Sequence, residues 1–262
     1  VHLLLNETNE GFAAGYNKAI AACSQPFVLI LNTDVFLTPD FIEVTLAVLA
    51  EYPEAGAATG SVFQQGTGEW LNSGFFLQPQ MRTEHSANLD RAEAVFGCSG
   101  ALILFRREML EDIRIEGQYF DEAYFSYGED IDLAWRAQLL GWQARFAPGA
   151  KAHHVGSGSS DERLRFVDKP AFLQRHLLKN RYLTLVKNTS TGVLPYVLLP
   201  FILAEPLVWL YLLLRLPWRF PYLLLALADT CRLLPRALRW RRQLMRRQRV
   251  SAAYIRQVLR RV

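Results

Sequence analysis

The chain has 262 residues, of which 51% are apolar and 21% are charged, and its formal net charge is +4. This length accommodates one sizeable α/β domain with an appendage. The three cysteines, Cys23, Cys98 and Cys231, form no spaced pair, which argues against a disulfide framework and a zinc knuckle and favours a reducing compartment for the main domain.

The charge is divided unevenly along the chain. Up to Gly192 there are 16 Lys and Arg against 23 Asp and Glu, a net charge of −7, whereas the remainder has 13 against 2, a net charge of +11. The two parts therefore face different electrostatic surroundings.

The first part of the chain alternates strand-like and helix-like patterns, and this order predicts a mostly parallel sheet flanked by helices. The boundaries of these predicted elements are set by three signals. They are turn residues, proline at the first position of a helix and glycine after its last position. The predicted elements are a strand end at 1–6, helices over 12–23, 41–52, 107–113 and 129–140, and strands over 27–31, 57–62, 101–105, 142–146 and 150–155. In residues 66–94 short apolar pieces are broken by Gly, Asn, Pro and charged residues. This pattern predicts a hairpin and a mobile loop rather than part of the core.

The second part begins with 22 residues, 193–214, whose only charge is Glu205. As a helix this run would be about 33 Å long, enough to cross a bilayer core. Prolines at 195, 200 and 206 together with the intramembrane acid favour a bent or re-entrant hairpin as an alternative to a single crossing. The shorter apolar piece 221–235 carries two charges and is typical of a segment that lies in the membrane interface.

The last residues are strongly basic and lie beside the apolar segment. Such a tail can bind RNA or anionic lipid, and the neighbouring apolar run favours lipid, so no nucleic-acid partner is expected. The predicted organisation is a domain over 1–190, a membrane-associated helical segment over 193–235 and a basic tail over 236–262.

Asp34 follows an apolar strand that is predicted to be buried on both faces. Ligands of open α/β sheets collect at the carboxyl ends of strands, so Asp34 with Asn32 is a candidate for holding a divalent cation on a diphosphate. A turn-forming aspartate fits the same position equally well.

The stretch GEDID places Glu129, Asp130 and Asp132 at the start of a predicted helix. Asp132 lies one turn before Arg136, which favours a surface ion pair, and acids in a first helical turn also suit the helix dipole. Three neighbouring carboxylates nevertheless repel, and a cation or a hydroxyl substrate would justify them. A carboxylate held there can act as a general base toward a sugar hydroxyl.

Two further stretches are weaker signals by themselves. His153 and His154 end a strand ahead of a glycine and serine loop whose amides could bind phosphate, although a histidine at a strand end is more often plain surface. Gly11 and Gly15 stand at a turn that opens a helix, a possible nucleotide cradle that matches neither the dinucleotide fingerprint nor the P-loop.

Five ordered stretches between about Leu3 and Asn188, namely NEGFAAGYN, LNTD, GCSGA, FDEAYFSYGEDIDLAWR and HHVGSGS, together resemble the family 2 glycosyltransferases. The similarity is to the rhamnosyltransferase-like branch of bacterial surface polysaccharide synthesis. The resemblance implies a GT-A fold and an inverting transfer from a nucleotide-sugar donor to a saccharide acceptor. The acceptor is expected to be lipid-linked, with the catalytic domain on the cytoplasmic side of the inner membrane.

The resemblance also implies roles for single residues. Asp34 matches the remaining acid of a degenerate D-x-D motif and His154 the metal-binding histidine, so a divalent metal, Mg²⁺ or Mn²⁺, is implied. Asp130 matches the catalytic base and Glu129 its partner in the catalytic pair. The remaining implied roles are sugar and acceptor contacts for Ser99 and Gly100, and nucleotide contacts for Asn9, Gly11 and Asn17.

Members of this family normally begin with a further strand, helix and strand that hold the nucleobase, and this sequence has no matching stretch. The resemblance therefore implies a sheet without its first strands. A non-catalytic, membrane-bound binding or scaffold protein is the main alternative to an enzyme, and a nucleotidyltransferase of similar topology is a third.

Overall fold

The protein is described by a computed structural model that covers residues 2–72, 74–86, 90–155 and 166–259. The strands are β1 (Phe27–Leu31), β2 (Val35–Leu37), β3 (Ala55–Gln64), β4 (Trp70–Asn72), β5 (Gly74–Leu77), β6 (Thr83–His85), β7 (Glu93–Val95), β8 (Gly97–Cys98), β9 (Leu102–Arg106) and β10 (Gln143–His154). The helices are α1 (Gly11–Ala21), α2 (Phe41–Glu51), α3 (Arg107–Ile113), α4 (Glu129–Leu139), α5 (Ala171–Asn188), α6 (Leu194–Arg215), α7 (Phe220–Arg247) and α8 (Ala252–Val258).

The central sheet has the strand order β1-β9-β3-β10-β2, with β4 added beside β3 and β7 beside β10. The strands β3 and β10 are parallel neighbours, and β1 runs in the same direction because β9 lies antiparallel between β1 and β3. A second sheet has the order β6-β5-β8. This arrangement brings the carboxyl ends of β1, β3 and β10 to one edge together with the amino-terminal end of β9.

The packing of α4 against β8 depends on a glycine. A Cβ built on Gly97 would lie 2.5 Å from the Cβ of Ala134, closer than real Cβ contacts. The missing side chain therefore lets α4 approach the sheet, and this approach carries the first turn of α4 to the loop between β8 and β9.

Three sequence expectations about the first part are wrong. Residues 2–6 form no strand, and Leu3 and Leu5 are exposed there. Residues 66–94 are not outside the core, because β5 is buried along its whole length and Phe75 belongs to the main core cluster. The two strands expected over 142–155 are one strand, β10, whose register against β3 shifts between Phe146 and Lys151.

The expected basic tail is also part of the folded core. The boundary at residue 235 falls inside α7, a continuous helix of 28 residues. Trp240, Leu244, Ile255 and Leu259 are buried in the same core cluster as the sheet. Several arginines of this segment pair with acids of the domain, as Arg236 does with Asp121 and Arg249 with Asp112, so a strongly basic sequence can also be structural.

Candidate active site

A cavity of about 380 Å³ lies where the carboxyl ends of β1, β3 and β10 meet the start of α4. We call it the central cavity. It is lined by six of the residues singled out from the sequence, which are Asn32, Ser99, Gly100, Glu129, Asp130 and His154. Side chains from four separate stretches of the chain therefore converge on one space of a size typical for a ligand pocket.

Asp130 is held in a fixed orientation by backbone amides. Its Oδ2 accepts a hydrogen bond of 3.1 Å from the N–H of Gly100, and its Oδ1 accepts one of 2.8 Å from the N–H of Ile131. A Cβ at Gly100 would lie 3.7 Å from the Cβ of Asp130, so the glycine brings its backbone close to the carboxylate. Both oxygens accept from amides, which suits a carboxylate that carries a negative charge.

His154 lines the same cavity and pairs with Asp34, which is absent from the cavity lining as the described residues define it. The Nε2 of His154 lies 3.0 Å from the Oδ2 of Asp34, and the two side chains are 14% and 22% exposed. The pairing of β10 with β2 sets this distance, because His154 lies opposite Val35 in the register. Asp34 stands in the turn between β1 and β2, so both sequence interpretations of this residue describe its position.

The chemistry of the Asp34–His154 pair fits a divalent cation. A carboxylate oxygen and an imidazole nitrogen lie within hydrogen-bond distance of each other, and the imidazole belongs to the cavity lining. The described residues contain no cluster of three or more His, Cys, Asp or Glu side chains suited to a metal. A site with two protein ligands is nevertheless sufficient for a cation whose remaining ligands are phosphate oxygens and water.

Glu129 differs from its neighbour Asp130 in its surroundings. It is only 5% exposed, and within the described part of the chain its Oε2 has no hydrogen-bond partner. Burial, followed by the charge of Asp130, raises the pKa of Glu129 well above its usual range. The raised pKa favours the neutral, protonated form of Glu129, which leaves Asp130 as the candidate for the base.

Asp132 is the structural member of the three acids and forms the ion pair with Arg136 that the spacing of the two residues predicts. The ion pair is buried rather than on the surface. Both side chains are fully buried, with Arg136 Nε 3.0 Å from Asp132 Oδ2. The other oxygen of Asp132 accepts from Lys187 at 2.9 Å and from Asn188 at 2.8 Å. This buried network attaches α4 to the end of α5.

The network continues to α7. Lys187 also pairs with the buried Asp121, which accepts from Arg236 of α7. Burial alone would raise the pKa of Asp121, but the two cations hold it below its usual range. The indole of Trp240 packs against the same cations, at 4.9 Å from Lys187 Nζ and 4.5 Å from the guanidinium of Arg236. Helix α7 therefore supports α4, the helix that carries Asp130.

The residues expected to contact the nucleotide occupy other positions. Asn9, Gly11 and Asn17 are absent from the lining of the central cavity as the described residues define it. Asn9 accepts a hydrogen bond from the N–H of Gly11, which begins α1 with a positive φ of 83°. The buried side chain of Asn17 bonds to the backbone of Tyr119 and Phe120, a structural use that sequence spacing does not reveal.

The turn ahead of α4 is strained, and this feature was not expected from the sequence. Phe125 and Tyr127 have positive φ angles of 64° and 70°, followed by Gly128 at 82°. Asn180 of α5 donates to the carbonyls of Tyr124, Ser126 and Tyr127 and so fixes the turn. Consecutive strained residues next to a cavity are typical of functional sites.

Lys169 is a second residue that the sequence did not single out. It lines the central cavity, is 8% exposed, and its Nζ lies 5.2 Å from the ring centre of Tyr127. A buried cation in this wall suits an anionic ligand. The glycine and serine loop after His154, residues 156–160, lies outside the described residues, and its expected contact with phosphate remains a prediction.

Comparison with known proteins agrees with this geometry. A family model described as "Glycosyltransferase like family 2" matches residues 1–171. N-acetylglucosaminyl-diphospho-decaprenol L-rhamnosyltransferase of Mycobacterium tuberculosis is 27% identical over 190 residues, which cover 60% of this chain and 61% of that protein. Rhamnosyltransferase WbbL of Escherichia coli is 33% identical over 91 residues, which cover 33% of this chain and 32% of that protein.

A solved structure of GalNAc-T7 with UDP, GalNAc and Mn²⁺ superposes with a TM-score of 0.53 at 12% identity, covering 70% of this chain and 35% of that chain. This similarity shows the fold alone, and it confirms the expected α/β, GT-A-like class. The chain spans about three fifths of the length of the mycobacterial relative. Because the family model covers more than half of the sequence, the chain belongs to the glycosyltransferase like family 2.

Proposed function

We propose that this chain transfers a sugar, with inversion, from a nucleotide-sugar donor to a hydroxyl group of a saccharide acceptor. The observation that carries the proposal is the position of Asp130, whose carboxylate is fixed by two backbone amides on the wall of a cavity shared with His154. Such a transfer requires a fixed base beside a metal site, and the cavity that holds Asp130 is also lined by His154, one member of a pair of metal-ligand type.

In the proposed reaction an acceptor hydroxyl gives its proton to Asp130. The hydroxyl oxygen forms a bond to the anomeric carbon of the donor, and the bond from that carbon to the diphosphate oxygen breaks. The electron pair leaves with the nucleoside diphosphate. Attack from the side opposite the leaving group inverts the configuration at the anomeric carbon.

Asp34 and His154 are the residues that would hold a divalent metal, and when bound the metal supplies positive charge against the departing diphosphate. The solved structure of GalNAc-T7 contains Mn²⁺, which supports a divalent ion on this fold without deciding between Mn²⁺ and Mg²⁺ for this chain. Lys169 adds a cation to the same wall. The neutral Glu129 is suited to donate a hydrogen bond from its carboxyl group to a sugar oxygen.

We propose a lipid-linked saccharide as the acceptor class, because the mycobacterial relative is named for a diphospho-decaprenol acceptor. Within the described residues, α6 is the one helix that is long and apolar enough to cross a membrane. Leu199, Leu203 and Leu207, spaced four residues apart, are between 64% and 67% exposed along one side of this helix. This side supports contact with a membrane, which we propose is the cytoplasmic face of the inner membrane.

The acid in α6 faces the domain rather than lipid. Glu205 pairs with Arg181, accepts from the hydroxyl of Tyr182 and accepts from the indole of Trp209 at 3.0 Å. An acid that is paired in this way avoids the cost of isolation in hydrocarbon. Arg181 and Tyr182 belong to α5, so their contacts with Glu205 support an α6 that lies along the surface of the domain. In this position Leu199, Leu203 and Leu207 would face the bilayer.

The test measures release of nucleoside diphosphate from a panel of nucleotide-sugars with Mn²⁺ or Mg²⁺ and a lipid-linked saccharide acceptor. We expect release that depends on acceptor and on metal, and a product with inverted anomeric configuration. Binding of no nucleotide-sugar by the full chain would instead support a non-catalytic scaffold. Release of pyrophosphate would support a nucleotidyltransferase.

A further inference from the structure

A second cavity, of about 360 Å³, lies beside the central cavity. We call it the apolar cavity, and we define it by six side chains of its wall, which are Met81, Ile131, Phe166, Leu177, Leu178 and Val208. These residues come from the loop after β5, from α4, from the short 3₁₀ helix Phe166–Asp168, from α5 and from α6. Its volume is in the range of small-molecule sites.

The polar side chains of this wall are turned toward the protein. Asn180 donates to three carbonyls of the strained turn, Thr184 bonds to Tyr124 and to the carbonyl of Asn180, and Arg181 bonds to Glu205 and to the carbonyl of Gln80. Their donors are therefore already used. Apart from Thr83 and Tyr127, which also line the central cavity, the wall offers a ligand apolar surface rather than hydrogen-bond donors, and this favours a hydrocarbon over a sugar or a base.

The two cavities are neighbours with a common wall. Both are lined by the same five residues, which are Thr83, Tyr127, Gly128, Ile131 and Leu177. Gly128 and Ile131 flank Asp130 in the first turn of α4. A single amphiphilic molecule can therefore place its polar end in the central cavity and its apolar end in the apolar cavity.

The far wall of the apolar cavity is formed by the helix that we place in the membrane. Val208 of α6 is part of the lining, whereas its neighbour Leu207 is 67% exposed on the outer side of the helix. A hydrocarbon chain that emerges past Val208 would continue among side chains that contact lipid. The cavity thus lies between the site of chemistry and the bilayer.

We infer that the apolar cavity binds the segment of a polyprenyl chain that adjoins the diphosphate of the acceptor, and so positions the acceptor sugar at Asp130. This inference rests on the proposed function for the class of acceptor. It adds a binding site and a specificity: the lipid is recognised by the enzyme itself, through α5 and α6, and is more than an anchor in the membrane.

The experiment measures binding rather than turnover. Farnesyl diphosphate is titrated calorimetrically into the full chain stabilised in amphipol, with shorter prenyl diphosphates, inorganic pyrophosphate and palmitate as comparison probes and empty amphipol as the blank. We expect affinity to rise with prenyl chain length, because each buried methylene contributes, and we expect palmitate to bind more weakly than farnesyl diphosphate.

The test variant is Val208→Trp, which fills the apolar cavity from α6, and the matched control is Leu207→Trp on the exposed side of the same helix. We expect Val208→Trp to weaken binding of farnesyl diphosphate at least about tenfold, while pyrophosphate binding stays unchanged and confirms that the protein is folded. Leu207→Trp should bind both probes like the wild type. Val208→Phe should give an intermediate loss.

Equal affinity of the wild type and Val208→Trp for farnesyl diphosphate would overturn the inference, as would an equal loss in both tryptophan variants. Palmitate binding as tight as that of farnesyl diphosphate would show a general lipid site instead. If the probes bind as expected but no nucleotide-sugar is ever consumed, the proposed function fails while the apolar cavity remains a prenyl site.

Discussion

Asp130 and Asp132 lie two positions apart on the same helix, and we propose a catalytic role for the first and a structural role for the second. The perturbation that separates these roles is the same near-isosteric change at each position, Asp130→Asn and Asp132→Asn. Asp130 faces the central cavity, whereas Asp132 is fully buried among cations. We expect one variant to lose activity and the other to lose stability.

The structure sets the size of the stability effect at Asp132. Its two oxygens accept from Arg136, Lys187 and Asn188, and both cations are almost completely buried. Asparagine would leave Arg136 and Lys187 with one carboxylate partner fewer in a region without solvent. Breaking a buried ion pair from one side costs about 3–5 kcal/mol of unfolding free energy. For a chain of this size the loss corresponds to a decrease of about 6–20 °C in Tm.

The effect at Asp130 is of a different kind. Asparagine can keep one of the two hydrogen bonds from Gly100 and Ile131, so the unfolding free energy should change by no more than about 1 kcal/mol. Loss of a general base should lower kcat by about 10²–10⁴-fold. Binding of the donor should be nearly unchanged, because Asp130 acts on the acceptor.

The assay combines thermal and urea unfolding, followed by circular dichroism, with initial rates of nucleoside diphosphate release below the Tm of the weaker variant. Per folded molecule, Asp132→Asn should retain most of the wild-type rate. The assignment of roles is refuted if Asp132→Asn is as stable as the wild type, or if Asp130→Asn transfers sugar at the wild-type rate.

Three further predictions concern the neutral acid, the metal pair and the membrane face. Because the folded pKa of Glu129 lies above the unfolded value of about 4.3, folding takes up a proton and wild-type stability falls as pH rises through this interval. Glu129→Gln has no titrating group at this position and should not lose stability in this way. The unfolding free energy of the variant minus that of the wild type should therefore increase from pH 5 to pH 8. If this difference does not depend on pH, the assignment of a buried neutral acid is wrong. His154→Ala should weaken Mn²⁺ binding in the presence of nucleoside diphosphate by at least about tenfold, measured by calorimetry, and unchanged affinity would place the metal elsewhere. The double change Leu203→Asp with Leu207→Asp should abolish co-sedimentation with anionic vesicles without changing the far-ultraviolet circular dichroism, and retained binding would exclude this face of α6.

Apolar periodicity and turn residues were enough to predict most elements of the sheet domain. The strand Phe27–Leu31 and the helix Arg107–Ile113 coincide with β1 and α3, and three further helices end within two residues of the expected bounds. In these segments, local pattern and tertiary burial agree. The sequence predicts two strands, 142–146 and 150–155, because Pro148 and Gly149 interrupt the strand pattern. In the structure one strand, β10, continues through this point with a shift in its register against β3.

The helix α5 was not predicted, and its composition explains why. It buries polar side chains, including Lys179, Asn180, Lys187 and Asn188, so it has no apolar stripe that a sequence pattern can reveal. Their partners are carbonyls and carboxylates that are distant in the sequence. Only the three-dimensional arrangement shows that this helix supports the turn and the helix around Asp130.

For the candidate site, the sequence identified six residues that line the cavity, but it missed Lys169 and did not report the surroundings that set each ionisation state. The motifs around Asp34, Asp130 and His154 were found because short ordered stretches resemble a known family. The neutral state of Glu129 and the internal hydrogen bonds of Asn17 depend on burial, which one sequence does not report. The roles of these residues remain predictions until the experiments above are done.

The most direct test of the account is a crystal structure of the chain with Mn²⁺ and a nucleoside diphosphate, with the metal located by its anomalous scattering. The account predicts one Mn²⁺ ion bound by Asp34 and His154, with the diphosphate in the central cavity on the side that faces Asp130. An ion bound away from this pair, or a nucleotide outside the central cavity, would contradict it.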